Sequence, residues 1–222
     1  MTYLSGLVGF LLLLTAEAKV GNSSQIEFCS ETKQCLLFDR VCDADGYEVR
    51  KYGSVKWVST DEMSFFMEIA AMRAFRRLFN YIDGANKDGK KIEMTAPVII
   101  KMIEDKYFWQ RSTYTMSFLL PAEHQANPPK PTDDKVYFQK MPDMKVYSLS
   151  YGGWMTNLSD KNKASTLSAL LDAVGAKYKK GFHYAVGYNS PMKIFNRHNE
   201  VWYVVEDDPV CAGSDEDFSP VS

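Results

Sequence analysis

Histidines, paired carboxylates and cysteines are the side chains through which this 222-residue chain could do chemistry. His124, His183 and His198 are its three imidazoles, and no second ligand or base stands at a spacing that completes a site. His124 lies among prolines, His198 in the polar run Asn196-Arg197-His198-Asn199, and His183 opens a strand-like segment. Each reads as a solvated or hydrogen-bonded structural group, although imidazole is a common ligand and base elsewhere. The chain has no G-x-S-x-G nucleophile turn, no H-E-x-x-H metal pair and no G-x-x-x-x-G-K-[ST] phosphate loop. Asp133-Asp134 and Asp207-Asp208 fall in loop-like stretches, where solvation is the simplest state. No catalytic constellation emerges, and an enzyme is not expected. Cys29, Cys35, Cys42 and Cys211 include no C-x₂-C pair, which disfavours zinc.

The cysteines are better read with the segment before them. Leu4 to Thr15 is a short apolar run, and Ala16-Glu17-Ala18 follows with small residues where a signal peptidase reads. A membrane-spanning helix needs about 20 apolar residues, so the run is too short to span. Residues 1–18 are expected to be a signal peptide cleaved after Ala18, giving a secreted, extracellular protein with no membrane span. An even number of cysteines then suggests two disulfides in an oxidising compartment. Four cysteines allow three pairings; Cys29–Cys35 with Cys42–Cys211 is preferred, the second tying the first strand to the end of the last. Asn22-Ser23-Ser24 and Asn157-Leu158-Ser159 are glycosylation sequons, so Asn22 and Asn157 are expected to carry glycans. A net charge of −2 and a pI near 6.0 provide no general attraction for nucleic acid.

The elements that would position a site repeat. After a cysteine-containing leader (19–45), Tyr47–Tyr52 and Val55–Thr60 alternate like a hairpin-related pair of strands around Gly53. Phe65, Ile69, Met72, Phe75, Phe79 and Ile82 then recur at helical spacing, and Gly84 ends the pattern. Strand-like runs cover 92–103 and 113–120. A proline-rich break precedes a second round: strands over 136–140 and 145–151, a helix marked by Ala164, Leu167, Leu171, Val174 and Tyr178 and ended by Gly181, then strands over 184–188 and 200–206. Each half reads β-β-α-β-β. The expected fold is α+β, about eight strands and two amphipathic helices, with a barrel-like sheet that carries a helix on each half. Residues 207–222 read as an acidic tail. Pro97 and Pro191 break strand-like runs at matching points of the halves, as edges, strand starts or bulges do. Bends facing helices rich in Phe and Met suit an open groove as well as plain sheet corners.

At these positions the sequence resembles a known family. Tyr47-Glu48-Val49-Arg50-Lys51-Tyr52-Gly53, Lys91-Ile92-Glu93-Met94-Thr95-Ala96-Pro97-Val98, Gly187-Tyr188-Asn189-Ser190-Pro191-Met192-Lys193 and Asn199-Glu200-Val201-Trp202 are similar, in order, to segments of the SOUL/HBP heme-binding family. The resemblance runs over residues 46–206 and implies a distorted antiparallel β-barrel with two helices, built by duplication, that binds heme or another tetrapyrrole without catalysis. It also implies a groove between the first helix and the loop before the last strand. By position, Met72, Phe75 and Phe79 would come from the helix, Met192 and Lys193 from the loop, and Arg76 would meet a propionate. Some members have a histidine proposed as axial ligand where this chain has Lys51, and an ammonium must lose its proton, reference pKa about 10.4, before it can ligate iron. Other members hold heme without a strong axial ligand. Helix-to-sheet core is the competing reading of Phe75 and Phe79.

The expectation is a secreted heme or tetrapyrrole carrier or scavenger. The alternative is an extracellular interaction protein, or a carrier of another apolar ligand, that keeps the fold and has lost heme.

Overall fold

The computed structural model describes residues 20–104 and 110–211. The expected signal peptide, and all of the expected tail beyond 211, lie outside them. The leader contributes β1 (Val20–Asn22), β2 (Gln34–Leu36) and β3 (Asp39–Ala44). The first half then runs β4 (Tyr47–Tyr52), β5 (Val55–Ser64), α1 (Met67–Ile82), β6 (Val98–Ile103) and β7 (Ser112–Leu119). The second runs β8 (Val136–Met141), β9 (Met144–Tyr151), α2 (Asn157–Ala173), β10 (Phe182–Gly187) and β11 (Asn199–Val204). The β-β-α-β-β order therefore occurs twice.

β1 and β2 form a small antiparallel sheet, and the other nine strands form one sheet in the order β3-β4-β9-β11-β10-β6-β7-β5-β8. All its neighbours are antiparallel. The order ends at β3 and β8 without closing, so the class is α+β and a closed barrel is not established. The expected hairpin-like pair of β4 and β5 is corrected. β4 pairs with β3 and β9, whereas β5 pairs with β7 and β8. Gly53-Ser54 bends the chain instead of reversing it, opposite the similar bend at Pro142-Asp143. Ser54 holds the two together by donating its N–H to Asp143 Oδ1 (2.5 Å) and its hydroxyl to the Met141 carbonyl (3.0 Å). The strand material expected from Ile92 starts only at Val98, directly after Pro97, where a residue without an N–H is tolerated.

α1 buries a different stripe from the one its Phe/Met spacing suggests. Met67, Ala70, Ala74, Leu78 and Tyr81 face the sheet, at spacings of 3, 4, 4 and 3. Ala70 and Ala74 allow close approach to the sheet. Phe65, Ile69, Met72 and Phe79 are exposed, Phe75 is half-buried, and only Ile82 of the expected core stripe is buried. α2 opens on a capping box in which Thr156 Oγ1 accepts the Ser159 N–H and Ser159 Oγ accepts the Thr156 N–H. It ends at Ala173, not near Gly181, because Gly175 takes the left-handed conformation (φ +68°) that terminates helices. Ala164, Leu167 and Leu171 pack on the tyrosine-rich backs of β9 and β11. Among the described residues, no helix is long and apolar enough to cross a membrane.

Both preferred disulfides are present, Cys29–Cys35 and Cys42–Cys211. The first closes a loop within the leader, and the second ties the leader to the end of the described chain.

Candidate functional site

A cleft of about 270 Å³ opens between α1 and the loop that follows β10. Phe75 and Phe79 form one wall, their rings nearly parallel at 6.0 Å, with Phe75 set edge-on to Phe118 at 5.2 Å. Met94, Thr95, Ala96 and Val98 form the floor. That segment is held from both sides: Thr95 donates to the Leu119 carbonyl (2.6 Å), and Ala96 exchanges backbone bonds with Gln34 and Leu36 of β2. Gly187 to Pro191 form the opposite wall. Gly187 lets Met155 pack close, since a Cβ there would stand 3.1 Å from Met155 Cε and push that methyl back by a few tenths of an ångström.

The leader supplies an edge of the cleft that sequence reasoning missed. Glu31 and Thr32 both line it, from the loop closed by Cys29–Cys35. Glu31 accepts from the Ser190 N–H (2.7 Å) and Asn189 Nδ2 (3.2 Å), and Lys193 Nζ lies 3.3 Å away. Burial pushes the Glu31 carboxyl up, but these donors outweigh it and hold it below its usual value. Arg197 donates to the Ser190 and Lys193 carbonyls at 2.8 and 2.7 Å, fixing the rest of the loop.

Behind that wall lies a buried ionic network. Glu200 Oε1 accepts from Arg50 Nη1 (2.9 Å) and bonds His198 Nε2 (2.7 Å); Oε2 accepts from Tyr188 Oη (3.0 Å) and Trp202 Nε1 (2.7 Å). Arg50 also reaches Glu48 (2.7 Å) and lies 4.2 Å over the Phe38 ring, while Phe28 stacks on His198 at 4.0 Å. Burial opposes the charges on both partners. His198 and Arg50 nevertheless keep Glu200 below the ordinary carboxylate range, and Glu200 keeps Arg50 firmly protonated. Tyr188 joins network to cleft, since it belongs to both. A second cluster fastens α2 to the sheet: His183 bonds Glu104 (2.7 Å) and Asp160 (2.8 Å), with Tyr203 donating to the same Glu104 oxygen. Burial lowers the His183 pKa, and the two carboxylates more than reverse this, to about 9. His183 and His198 are therefore hydrogen-bonded structural groups.

Of the expected site residues, the fold brings Phe75 and Phe79 to the cleft wall. Met72, Arg76 and Met192 are exposed outside its lining, and Lys193 is half-buried against Glu31. Lys51 does not line the cleft: it is exposed on β4, opposite Asp39 and Lys145. No imidazole lines the cleft, and no group of three or more His, Cys, Asp or Glu suited to a metal exists among the described residues. The aromatic and aliphatic walls fit the faces of a macrocycle; the lining provides no histidine for iron. Of the sequons, Asn22 is exposed and Asn157 is half-buried at the start of α2.

The chain is similar to human heme-binding protein 2, 36% identical over 163 residues that cover 73% of this chain and 80% of the relative. Mouse heme-binding protein 2 is 33% identical over the same shares, and heme-binding protein 1 of Xenopus tropicalis is 29% identical over 73% of this chain and 85% of its own. The fold is shared with the crystal structure of the EcmrR C-terminal domain, at a TM-score of 0.55 and 11% identity over 78% of this chain and 99% of that one. The SOUL heme-binding protein profile matches residues 33–204. The chain belongs to the SOUL heme-binding protein family.

Proposed function

We propose that this chain is a secreted, non-catalytic carrier or scavenger that holds heme or a related tetrapyrrole in the α1 cleft. The observation that carries the reading is the Phe75–Phe79 wall, which faces the loop at 187–191 with Phe79 exposed and Phe75 half-buried at the margin of the core, edge-on to Phe118. α1 buries Met67, its alanines, Leu78 and Tyr81 against the sheet, which leaves Phe79 exposed and Phe75 only partly covered. At about 270 Å³ the cleft lies just below the usual 300–1,000 Å³ of small-molecule sites. A macrocycle would therefore enter by an edge and lie partly on the rim. Phe75, Phe79, Met94 and Val98 would cover its faces, and Arg76 and Lys193, the latter beside Glu31, would be the partners of its carboxylates. Burying even about 200 Å² of apolar surface is worth roughly 5 kcal/mol before association costs, so useful affinity needs no axial histidine. Bound heme would supply an iron centre of redox and ligand-binding capacity, while this chain's groups orient and shield it. The signal peptide, both sequons and the distorted barrel remain part of this reading. The two disulfides suit secretion.

One observation favours the alternative carrier of another apolar ligand: no imidazole lines the cleft, and Lys51 is remote from its lining. Hemin titration of the purified secreted protein, followed in the Soret region, separates the two. A saturable, weakly shifted band supports heme; no saturable change assigns the cleft to another ligand.

A further inference from the structure

We propose that the mouth of the cleft is a docking surface for an anionic phospholipid membrane, formed by an apolar ring set with arginines that make no ion pair among the described residues. Most of the large apolar side chains left exposed among the described residues gather on this one side. Phe66 (61% exposed) and Met72 (60%) come from α1 and its entry, Leu158 (71%) from the start of α2, and Met192 (88%), Ile194 (64%) and Phe195 (78%) from the loop before β11. An exposed apolar concentration of this kind marks an interaction surface.

These segments form one surface. The Asn157 N–H donates to Glu68 Oε1 at 2.9 Å, which ties the start of α2 to the first turn of α1. The Arg197 guanidinium lies 4.5 Å over the exposed Trp154 ring and bonds the Lys193 carbonyl, which ties the 192–195 loop to the segment before α2. Pro191 and Phe79 line the same cleft, which ties that loop to α1.

Charge identifies the occupant. Arg73 and Arg76 are exposed on α1 and make no ion pair among the described residues. Arg111 lies 5.2 Å over Phe65, and Arg197 spends its bonds on carbonyl groups. Of the nearby carboxylates, Glu31 is matched by Lys193, and Glu68, bonded to the neutral Asn157 amide, is one negative charge against these arginines. The ring is locally cationic in a chain whose net charge is −2. Ile69, Met72, Arg73, Arg76 and Phe79 follow i, i+3, i+4, i+7 and i+10 spacing, so arginines and apolar side chains share one outward helix face. That interleaving suits a lipid headgroup boundary, where apolar tips sink below the phosphates and arginines reach them. A protein interface tends instead to exclude charge from its centre. The proposal stands whatever the cleft holds.

The test is flotation of the full secreted chain with phosphatidylcholine vesicles, with and without phosphatidylserine, in the absence of hemin. Binding is expected only with phosphatidylserine, and it weakens as ionic strength rises. Arg73→Gln should lower vesicle affinity about fivefold, the share of one cation at an anionic surface. Ile194→Asp with Phe195→Asp should lower it about tenfold or more through lost apolar insertion. All three positions are exposed, so unchanged thermal melting confirms that the fold is intact. Failure to float with either vesicle overturns the proposal, as does binding that ignores these variants. A dimer in sedimentation that the Ile194→Asp, Phe195→Asp variant dissociates also overturns it, because a second copy then covers the ring.

Discussion

Replacing Glu200 by Gln tests whether the buried network supports the cleft wall. The amide keeps the shape of the carboxylate, removes its charge and turns one acceptor oxygen into a donor. Both orientations are unfavourable. With the NH₂ at Oε1 it faces Arg50 and His198; at Oε2 it faces Tyr188 and Trp202. Either way the donors at that oxygen lose their acceptor, and the buried charge of Arg50 is left to the partly exposed Glu48 alone. Breaking a buried ion pair from one side typically costs about 3–5 kcal/mol. In a domain of this size each kcal/mol shifts Tm by roughly 2–4 °C, so melting should fall by roughly 6–20 °C at neutral pH. Glu200 has a lowered folded pKa, so its contribution is present above the unfolded carboxylate value near 4.3 and is lost as pH falls through the lower folded value. The gap between wild type and variant should therefore hold from pH 5 to 8 and narrow in acid. Circular dichroism melts across that range provide the readout. Adding Arg50→Met should recover part of the loss by removing a buried cation that keeps only Glu48 as its partner. A Glu200→Gln protein melting within about 2 °C of wild type, under 1 kcal/mol, would refute the reasoning.

His183 has a raised folded pKa, so its contribution is complete below the unfolded value near 6.5 and is lost as pH rises through about 9. Urea midpoints should fall across that window by the equivalent of up to about 3 kcal/mol, and His183→Gln should flatten the dependence; an identical slope in the variant would contradict the assignment. Cys42→Ser with Cys211→Ser opens a loop of 169 residues and should destabilise by up to about 5 kcal/mol in calorimetry, while a change below about 1 kcal/mol would show that the bridge adds little. N-terminal sequencing of secreted material should begin at Lys19; an intact Met1 on retained protein would overturn the localisation.

The duplication and both helices were legible because each has a local signature, matching prolines or periodicity; an even cysteine count called for two disulfides, and the expected closeness of the terminal strands chose among three pairings. The face of α1 was not. Its Phe/Met stripe and its Met67-Ala70-Ala74-Leu78-Tyr81 stripe both have helical period, and hydrophobicity favours the larger side chains. Small size was the overlooked signal, since alanines let a helix sit close to a sheet. The β4–β5 bend was misread because Gly53-Ser54 suits a reversal as well as a kink, and the choice depends on β9 and β8, far away in sequence. Glu31 was hidden in a leader with no periodic pattern. Glu200 did carry a sign: it is the one carboxylate in the otherwise uncharged run Asn199–Val204, which calls for a buried cation.

The central claim is that aromatic burial in the α1 cleft, and not a protein–iron bond at Lys51, determines tetrapyrrole binding. Parallel hemin titrations of wild type, Lys51→Ala and Phe75→Asp, read in the Soret region on proteins with matched circular dichroism, test it most directly. The account predicts saturable binding by wild type, nearly the same curve for Lys51→Ala, and loss of binding for Phe75→Asp. Loss of binding on Lys51→Ala with Phe75→Asp unaffected would contradict it.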